Sequence, residues 1–295
     1  MDLDFRYDRV RLHFRASGEI RFPPRLPANM LRSALGAAFH HIACEPDCQD
    51  ARTCSRAADC DYARIFEPRP AAAGPSGLAD WPRPFVFRAQ HLDGRQIRPG
   101  DGFHVDINLF DTRVETRERL EEAFRRMGEG GLGPGRGQAT LLGAEVTPLV
   151  VSLTPVAGNV GAIRVRFVSP TELKAAGKVA GEPEFGILFA RLRDRISALR
   201  ALYGGGPLEL DFRALGERAR TIRMTHCRIR QIAARRHSSR TGQTHDIGGF
   251  VGEAVYEGPM AEFAPYLAAG AATGVGRQTV WGKGEIRFEP LSRGS

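Results

Sequence analysis

Hydrophobic and polar residues alternate at the start of the chain, in "RVRLHFRASGEIRFP", and a period of two over that length reads as a strand with one buried face. The period then changes. Pro27 and Asn29 introduce "NMLRSALGAAFHHIAC", in which Leu31, Leu35, Ala38 and Ile42 fall on one side of a 3.6-residue spiral, the pattern of an amphipathic helix. A Cys-rich insert and a Pro/Ala/Gly stretch at 68–83 separate this helix from two strand-like runs, "FVFRAQ" and "GDGFHVDINLF". A charged helix, "TRERLEEAFRRMG", and a glycine-rich turn leading into the strand "GAEVTPL" complete the first half.

The second half repeats this order. It has a strand at "GAIRVRFVS", a helix at "FGILFARLRDRISALRALYG", strands around "RTIRMTHCRIRQIAARR" and "GFVGEAVYEG", and a short apolar helix at "MAEFAPYLAAG". Both halves end alike, since Gly133-Pro-Gly135-Arg136 leads to Glu145-Val146 and Gly274-Val-Gly276-Arg277 leads to Glu285-Ile286. Two copies of one α+β unit, each an antiparallel β-α-β-β-α-β sheet of ferredoxin-like type, account for the repetition. The expected domains are residues 1–155, carrying the Cys-rich insert at 44–60, and residues 156–295, carrying a basic hairpin and a glycine-rich loop.

A chain of 295 residues with 42% hydrophobic content supports two modest cores. No apolar run approaches a membrane span, and the charged, alternating N-terminus is unlike a signal peptide, so a cytoplasmic protein with no membrane partner is expected. The formal charge of +8 is unevenly placed: residues 1–155 hold 21 basic and 21 acidic side chains, and residues 156–295 hold 21 and 13. Only Lys174, Lys178 and Lys283 are lysines, so arginine, whose planar fork suits phosphate, carries the charge.

The segment from Arg218 to His245 is the most one-sided, with eight arginines, three histidines and no acid. On a strand Arg228 and Arg230 share a face, and a polar tip presents Arg235, Arg236 and Arg240. A solvated hairpin is the bland reading of such a run; the missing counter-charges favour phosphate contacts. His237 and His245 are secondary catalytic candidates. Near the C-terminus, "GVGRQTVWGKGEI" sets Gly274, Gly276, Gly282 and Gly284 around Trp281 with Arg277 and Lys283. A dinucleotide fingerprint is excluded because a helix precedes the glycines and a strand follows them, and a phosphate-binding P-loop is excluded because Gly284 follows Lys283. A backbone-rich basic turn remains, suited to face RNA or simply to close the domain.

The spacing Gly274-x-Gly276, five residues, then Gly282-x-Gly284 resembles the C-terminal signature of the RAMP superfamily, and specifically of its CRISPR repeat-processing endoribonucleases. "SSRTGQTHDIGGFVGEAVYEG" is similar to that family's C-terminal half, and "RLPANMLRSALGAAFHHIACEPDCQDARTCSRAADCDYARIFEP" resembles a Cys-containing branch of it. The resemblance implies two tandem ferredoxin-like domains that bind CRISPR repeat RNA and cut it without a catalytic metal or other cofactor. In that chemistry the 2′-hydroxyl attacks the adjacent phosphate, leaving a 2′,3′-cyclic phosphate and a 5′-hydroxyl. The family's catalytic histidine lies at or just after the first helix, which here means His40, slightly favoured, or His41. A solvated helix end, where the dipole favours an imidazolium, is the alternative for both. The rival function is a non-catalytic RAMP subunit holding RNA inside a CRISPR effector complex, whose other subunits would be its partners.

Cys44, Cys48, Cys54 and Cys60 bring four thiols within 17 positions. Their gaps are wider than those of a zinc ribbon; a structural zinc leads, with free thiols and disulfides as alternatives. Tyr62 and Phe66 read as packing beneath this insert, while Trp281 suits either base stacking or core.

Overall fold

The structure is a computed structural model that describes residues 3–44, 48, 54–68, 81–237 and 244–291. Its first half runs β1 (Asp4–Ala16), β2 (Ile20–Arg21), α1 (Pro27–Ala43), α2 (Asp61–Phe66), β3 (Phe85–Arg88), β4 (Gln96–Ile97), β5 (Gly102–Leu109), α3 (Val114–Gly130) and β6 (Ala139–Ser152). β2 and β4 form a small ribbon, and the other strands make an antiparallel sheet in the order β3-β5-β1-β6.

The second half runs β7 (Ala162–Thr171), the ribbon β8 (Lys174–Ala175) and β9 (Lys178–Val179), α4 (Phe185–Tyr203), α5 (Phe212–Arg220) and β10 (Arg223–Ile232). It continues with β11 (Arg235–His237), β12 (Thr244–Asp246), β13 (Gly249–Glu257), α6 (Ala264–Thr273) and β14 (Ile286–Pro290). Its sheet has the order β10-β13-β7-β14, antiparallel throughout. In both sheets the third main strand of the unit lies between the second and the first, and the fourth flanks the first. The chain is therefore two tandem ferredoxin-like units, each with two main helices on one sheet face. The short helix α5, capped by Asp211, which accepts from the amides of Arg213 and Ala214, lies in a stretch where no helix was expected.

In the first unit Val10, Leu12 and Phe14 of β1 pack against Leu31, Leu35 and Phe39 of α1 and Leu120, Phe124 and Met127 of α3. Full burial of such side chains contributes about 1.5–3 kcal/mol each. The buried stripe of α1 is thus Leu31, Leu35 and Phe39, with Ala38 and Ile42 only half-buried. The large ring at 39, set on Phe66 and Tyr62, turns the helix away from the stripe its smaller residues outline.

The two cores exchange side chains. Phe5, Tyr7, Val86, Phe110 and Leu153 of the first unit belong to the second unit's core, and Val280 of the second belongs to the first's. The C-terminal carbonyls of α6 are held from both sides: Arg88 donates to those of Ala271 and Ala272 at 2.8 Å, Asn108 to Ala272, and Arg195 to Thr273. Cations and donors there complement the negative end of the helix dipole.

Candidate nucleic-acid interface

Cross-strand register gives the open face of the second sheet its charge. Arg228 on β10 stands opposite Glu253 on β13, which stands opposite Arg166 on β7, which stands opposite Arg287 on β14. One step along, His226, Val255, Arg164 and Glu289 share the same face, and Arg230 lies two residues beyond Arg228. Glu253 and Glu289 pair with Arg164 and Arg166 at 2.6–4.0 Å. No ion pair among the described residues engages Arg228 or Arg230, both exposed, leaving two guanidinium forks turned to solvent on a flat surface. Such a surface binds a polyanion by replacing its counterions. Arg164, Arg166 and Arg287 were missed in the sequence because they come from strands far apart in the chain; the alternation in "IRVRF" and "IRF" was their only signal. Arg235 and Arg236 lie on β11, paired with Asp246 and His245 of β12, and Arg240 lies outside the described residues. His237 and His245 fall on the same ribbon.

The glycine loop is turned the other way. Gly274, Gly276, Gly282 and Gly284 all have φ between 70° and 84°, a region that side-chain-bearing residues avoid. Gly284 lies so close to the carbonyl of Val275 that no Cβ fits, and a Cβ on Gly282 would strike Ala28 at the start of α1. The amide N–H of Val275 donates to the carbonyl of Gly284, and that of Gly284 to the carbonyl of Pro170, closing the loop on β7. Trp281 and Phe66 bracket the guanidinium of Arg32 on α1, each ring centroid 5.9 Å away.

The charges follow the same logic. The ammonium of Lys283, 3% exposed, donates to Gln278 at 3.0 Å and lies 3.6 Å from Glu172, and burial holds its pKa below the usual lysine value. Arg277 remains half exposed but is paired with Glu172 at 2.7 Å. The expectation that Lys283 is one of the loop's outward charges is therefore corrected: the ammonium is turned inward because Glu172 lies beneath the loop. The bare backbone docks the second unit onto α1, some twelve residues or about 18 Å before His40.

At the far end of α1, His41 is exposed. His40 does not point away from the protein as the smaller apolar stripe implied; it is half-buried, edge-on to Tyr62 at 5.1 Å, because Phe39 turns the helix. Tyr62 stacks on Phe66 at 5.4 Å, so both pack as expected. Ligand atoms of His40, Cys44 and Cys48 lie within 4.8 Å of one another. The thiol of Cys44 meets those of Cys48 and Cys60, and Cys48 meets Cys54, so the four cysteines converge although residues between them lie outside the description. Burial and the neighbouring thiols push Cys44 up to about 12. One imidazole and several thiols in reach of one point form a donor set able to hold a tetrahedral metal.

Beneath this end of α1, Asp111 is fully buried and accepts from Arg64 and Arg113 at 2.7 Å and from Thr116 at 2.8 Å. It ties α2, which follows Cys60, to the start of α3.

Two ferredoxin-like units in tandem, the second with an arginine-lined open sheet, make a RAMP-like fold. Residues 165–286 match the family model of the CRISPR-associated endoribonuclease Cas6, and residues 5–158 match a model described as an N-terminal domain, AF_1859_N. The second unit thus carries a Cas6 endoribonuclease-family domain, which supports a CRISPR repeat-processing endoribonuclease. Among solved structures, a product complex of Cas6 (TTHB231) shares 16% identity at a TM-score of 0.58, covering 96% of this chain and 98% of that one. A product complex of Cas6 (TTHA0078) shares 17% at 0.54, covering 96% and 99%, and Thermus thermophilus Cas6 (TTHB231) shares 15% at 0.53, covering 97% and 99%. At such identities the likeness concerns the fold. No curated protein matches the sequence. No helix among the described residues is long and apolar enough to cross a membrane.

Proposed function

We propose that this protein binds CRISPR repeat RNA across its second sheet and cuts precursor CRISPR RNA at one position without a catalytic metal. A base removes the 2′-hydroxyl proton, O2′ bonds to the adjacent phosphorus as the bond to O5′ breaks, and an acid returns a proton to the departing oxygen. The products are a 2′,3′-cyclic phosphate and a 5′-hydroxyl. His40 and His41 remain the histidines of that step. Exposure favours His41 for reaching RNA, while His40 lies against Tyr62 and the thiols. Arg228 and Arg230 hold the backbone beside Arg164, Arg166 and Arg287. The thiols, with His40 within reach, are read as a structural zinc site.

The observation that carries this reading is the match of residues 165–286, which include Arg166, Arg228, Arg230 and the glycine loop, to the Cas6 endoribonuclease model. It agrees with the likeness of the chain to a substrate mimic complex of Cas6 (TTHA0078), 16% identical at a TM-score of 0.53. The test is incubation of the purified protein with its organism's repeat RNA in excess EDTA, beside a copy with one 2′-deoxy sugar at the cut. Cutting that survives EDTA and stops at the deoxy sugar is expected; binding without cutting would replace the enzyme by a scaffold subunit. His41→Ala should slow cutting by about 10²–10⁴-fold, the usual worth of a general acid or base, with binding changed only a few fold. An unchanged rate in the His40→Ala, His41→Ala double variant would move the active site elsewhere.

A further inference from the structure

The first sheet has an open face as well, and it carries a group of side chains that the cleavage reaction leaves unused. His104 and Asp106 alternate on β5, and their cross-strand neighbours on β1 are His13 and Arg11. His91 reaches the same place from the short turn at Gln90–Leu92 between β3 and β4. The rings of His91 and His104 stack at 4.2 Å with an interplanar angle of 11°, and His104 Nε2 is 3.7 Å from Asp106 Oδ2. One ligand atom from each of His91, His104 and Asp106 lies within 4.8 Å of the others. Three of the chain's eight histidines thus gather on one surface although their sequence positions are 13, 91 and 104.

We propose that His91, His104 and Asp106 bind a divalent transition metal of the zinc type. Two imidazoles and one carboxylate are the donors that such ions prefer over magnesium or calcium, which select oxygen alone. The surroundings prepare two of these donors. Nε2 of His91 is 3.0 Å from the backbone carbonyl of His104. A carbonyl only accepts, so Nε2 bears the proton and Nδ1 of the neutral ring keeps its lone pair, the arrangement by which a second partner fixes a metal-binding histidine. Arg11 grips Asp106 through both oxygens, at 2.8 and 2.9 Å, and a carboxylate has further lone pairs to offer. Ligand atoms on a tetrahedral ion with bonds of about 2.0–2.2 Å lie roughly 3.4 Å apart, so the three donors, within 4.8 Å of one another, close on an ion when the stacked rings of His91 and His104 turn to bring their in-plane lone pairs together. His13 stands beyond this set and is paired with Glu145 at 3.0 Å.

The arrangement has consequences for the fold rather than for RNA cleavage. A bound ion would clip the 90–92 turn to the middle of β5, and three protein donors would leave a coordination position open on the surface. The Arg11 charge opposes the ion and lowers the affinity of this site for it. Because no step of cleavage runs through it, EDTA-resistant cutting and metal binding here are compatible, and either can fail without the other.

The test is to titrate the protein with Zn²⁺ while recording the long-range proton–nitrogen NMR spectrum of the histidine rings, and to repeat the titration calorimetrically on His104→Gln, Asp106→Asn and His13→Gln. The expected result is one zinc bound beyond any held by the cysteines, with the ring nitrogens of His91 and His104 shifting at saturation. His104→Gln should lose this site and Asp106→Asn should weaken it at least about tenfold, while His13→Gln stays within about twofold. The spectrum of the unaltered protein needs no variant to fold, so ring nitrogens of His91 and His104 that do not move at saturating zinc would overturn the proposal. Equal zinc stoichiometry and affinity in a folded His104→Gln protein would do the same.

Discussion

Replacing Arg228 and Arg230 together by glutamine tests the RNA face where its charge is least compensated. Arg164 and Arg166 share Glu253 and Glu289, whereas no ion pair among the described residues engages Arg228 or Arg230 on β10. The substitution therefore removes two cations without stranding a carboxylate of their own. If each neutralises one phosphate, the slope of log affinity against log salt should shrink by about 1.4 for single-stranded RNA, and by about 1.8 if the duplex coefficient applies. Over a fourfold rise in salt, from about 50 to 200 mM, the affinity gap between wild type and variant then narrows by about seven- to twelve-fold. Filter binding or fluorescence anisotropy with repeat RNA at four salt concentrations measures this directly. Arg213→Gln is the control, because Arg213 lies on α5 and is paired with Glu217. An unchanged slope in the double variant would refute the placement of RNA on this sheet. An equal fall in Arg213→Gln would show that overall charge, and not this row, governs binding.

Three further outcomes follow from the geometry. Asp111→Asn should destabilise the first unit toward the lower end of the about 3–5 kcal/mol that breaking a buried pair costs, since Arg113 is largely exposed; chemical denaturation measures it. Burial pushes the Asp111 carboxyl up, but hydrogen bonds from Arg113 and Thr116 and the charge of Arg64 outweigh it and hold the pKa below the ordinary value. Its stabilisation is thus complete above the unfolded carboxylate value of about 3.9 and lost as pH falls through the lower folded value, so the two proteins should converge in stability in strong acid. Gly282→Val places a branched side chain at a φ of 84° and against Ala28; a fall in Tm is expected from thermal scans, with Gly135→Val, whose Cβ meets nothing within 4 Å, much less affected. Lys283→Met should cost less stability than Glu172→Ala, because the buried ammonium lies close to Glu172 whereas that carboxylate serves both Lys283 and Arg277.

Much of the fold was legible because strand and helix periods act locally. The alternation of β1 and β7, the helices at α1, α3 and α4, and the repeated order of elements were all visible as patterns of two and 3.6. Legibility failed where a residue's environment comes from elsewhere. Arg228 and Arg230 were found because they sit on one strand, whereas Arg164, Arg166 and Arg287 join them only through sheet register. Both glycine clusters were seen, yet the facing of the C-terminal loop depends on Ala28, some 250 positions earlier. The stripe of Leu31, Leu35, Ala38 and Ile42 misses that Phe39 meets Tyr62 and Phe66, which is why His40 is half-buried.

The sequence by itself determined two α+β units, an arginine excess in the second, and a helix ending in His40, His41 and Cys44, since these follow from neighbouring residues and backbone periodicity. Only the tertiary structure decided which way the charged groups face. It turned Lys283 inward onto Glu172, left Arg228 and Arg230 without an ion pair among the described residues, and gathered His13, His91 and His104 on one surface. The physical reason is that solvation and pairing energies depend on three-dimensional neighbours, which strand order and the exchange of core side chains between the two units bring together.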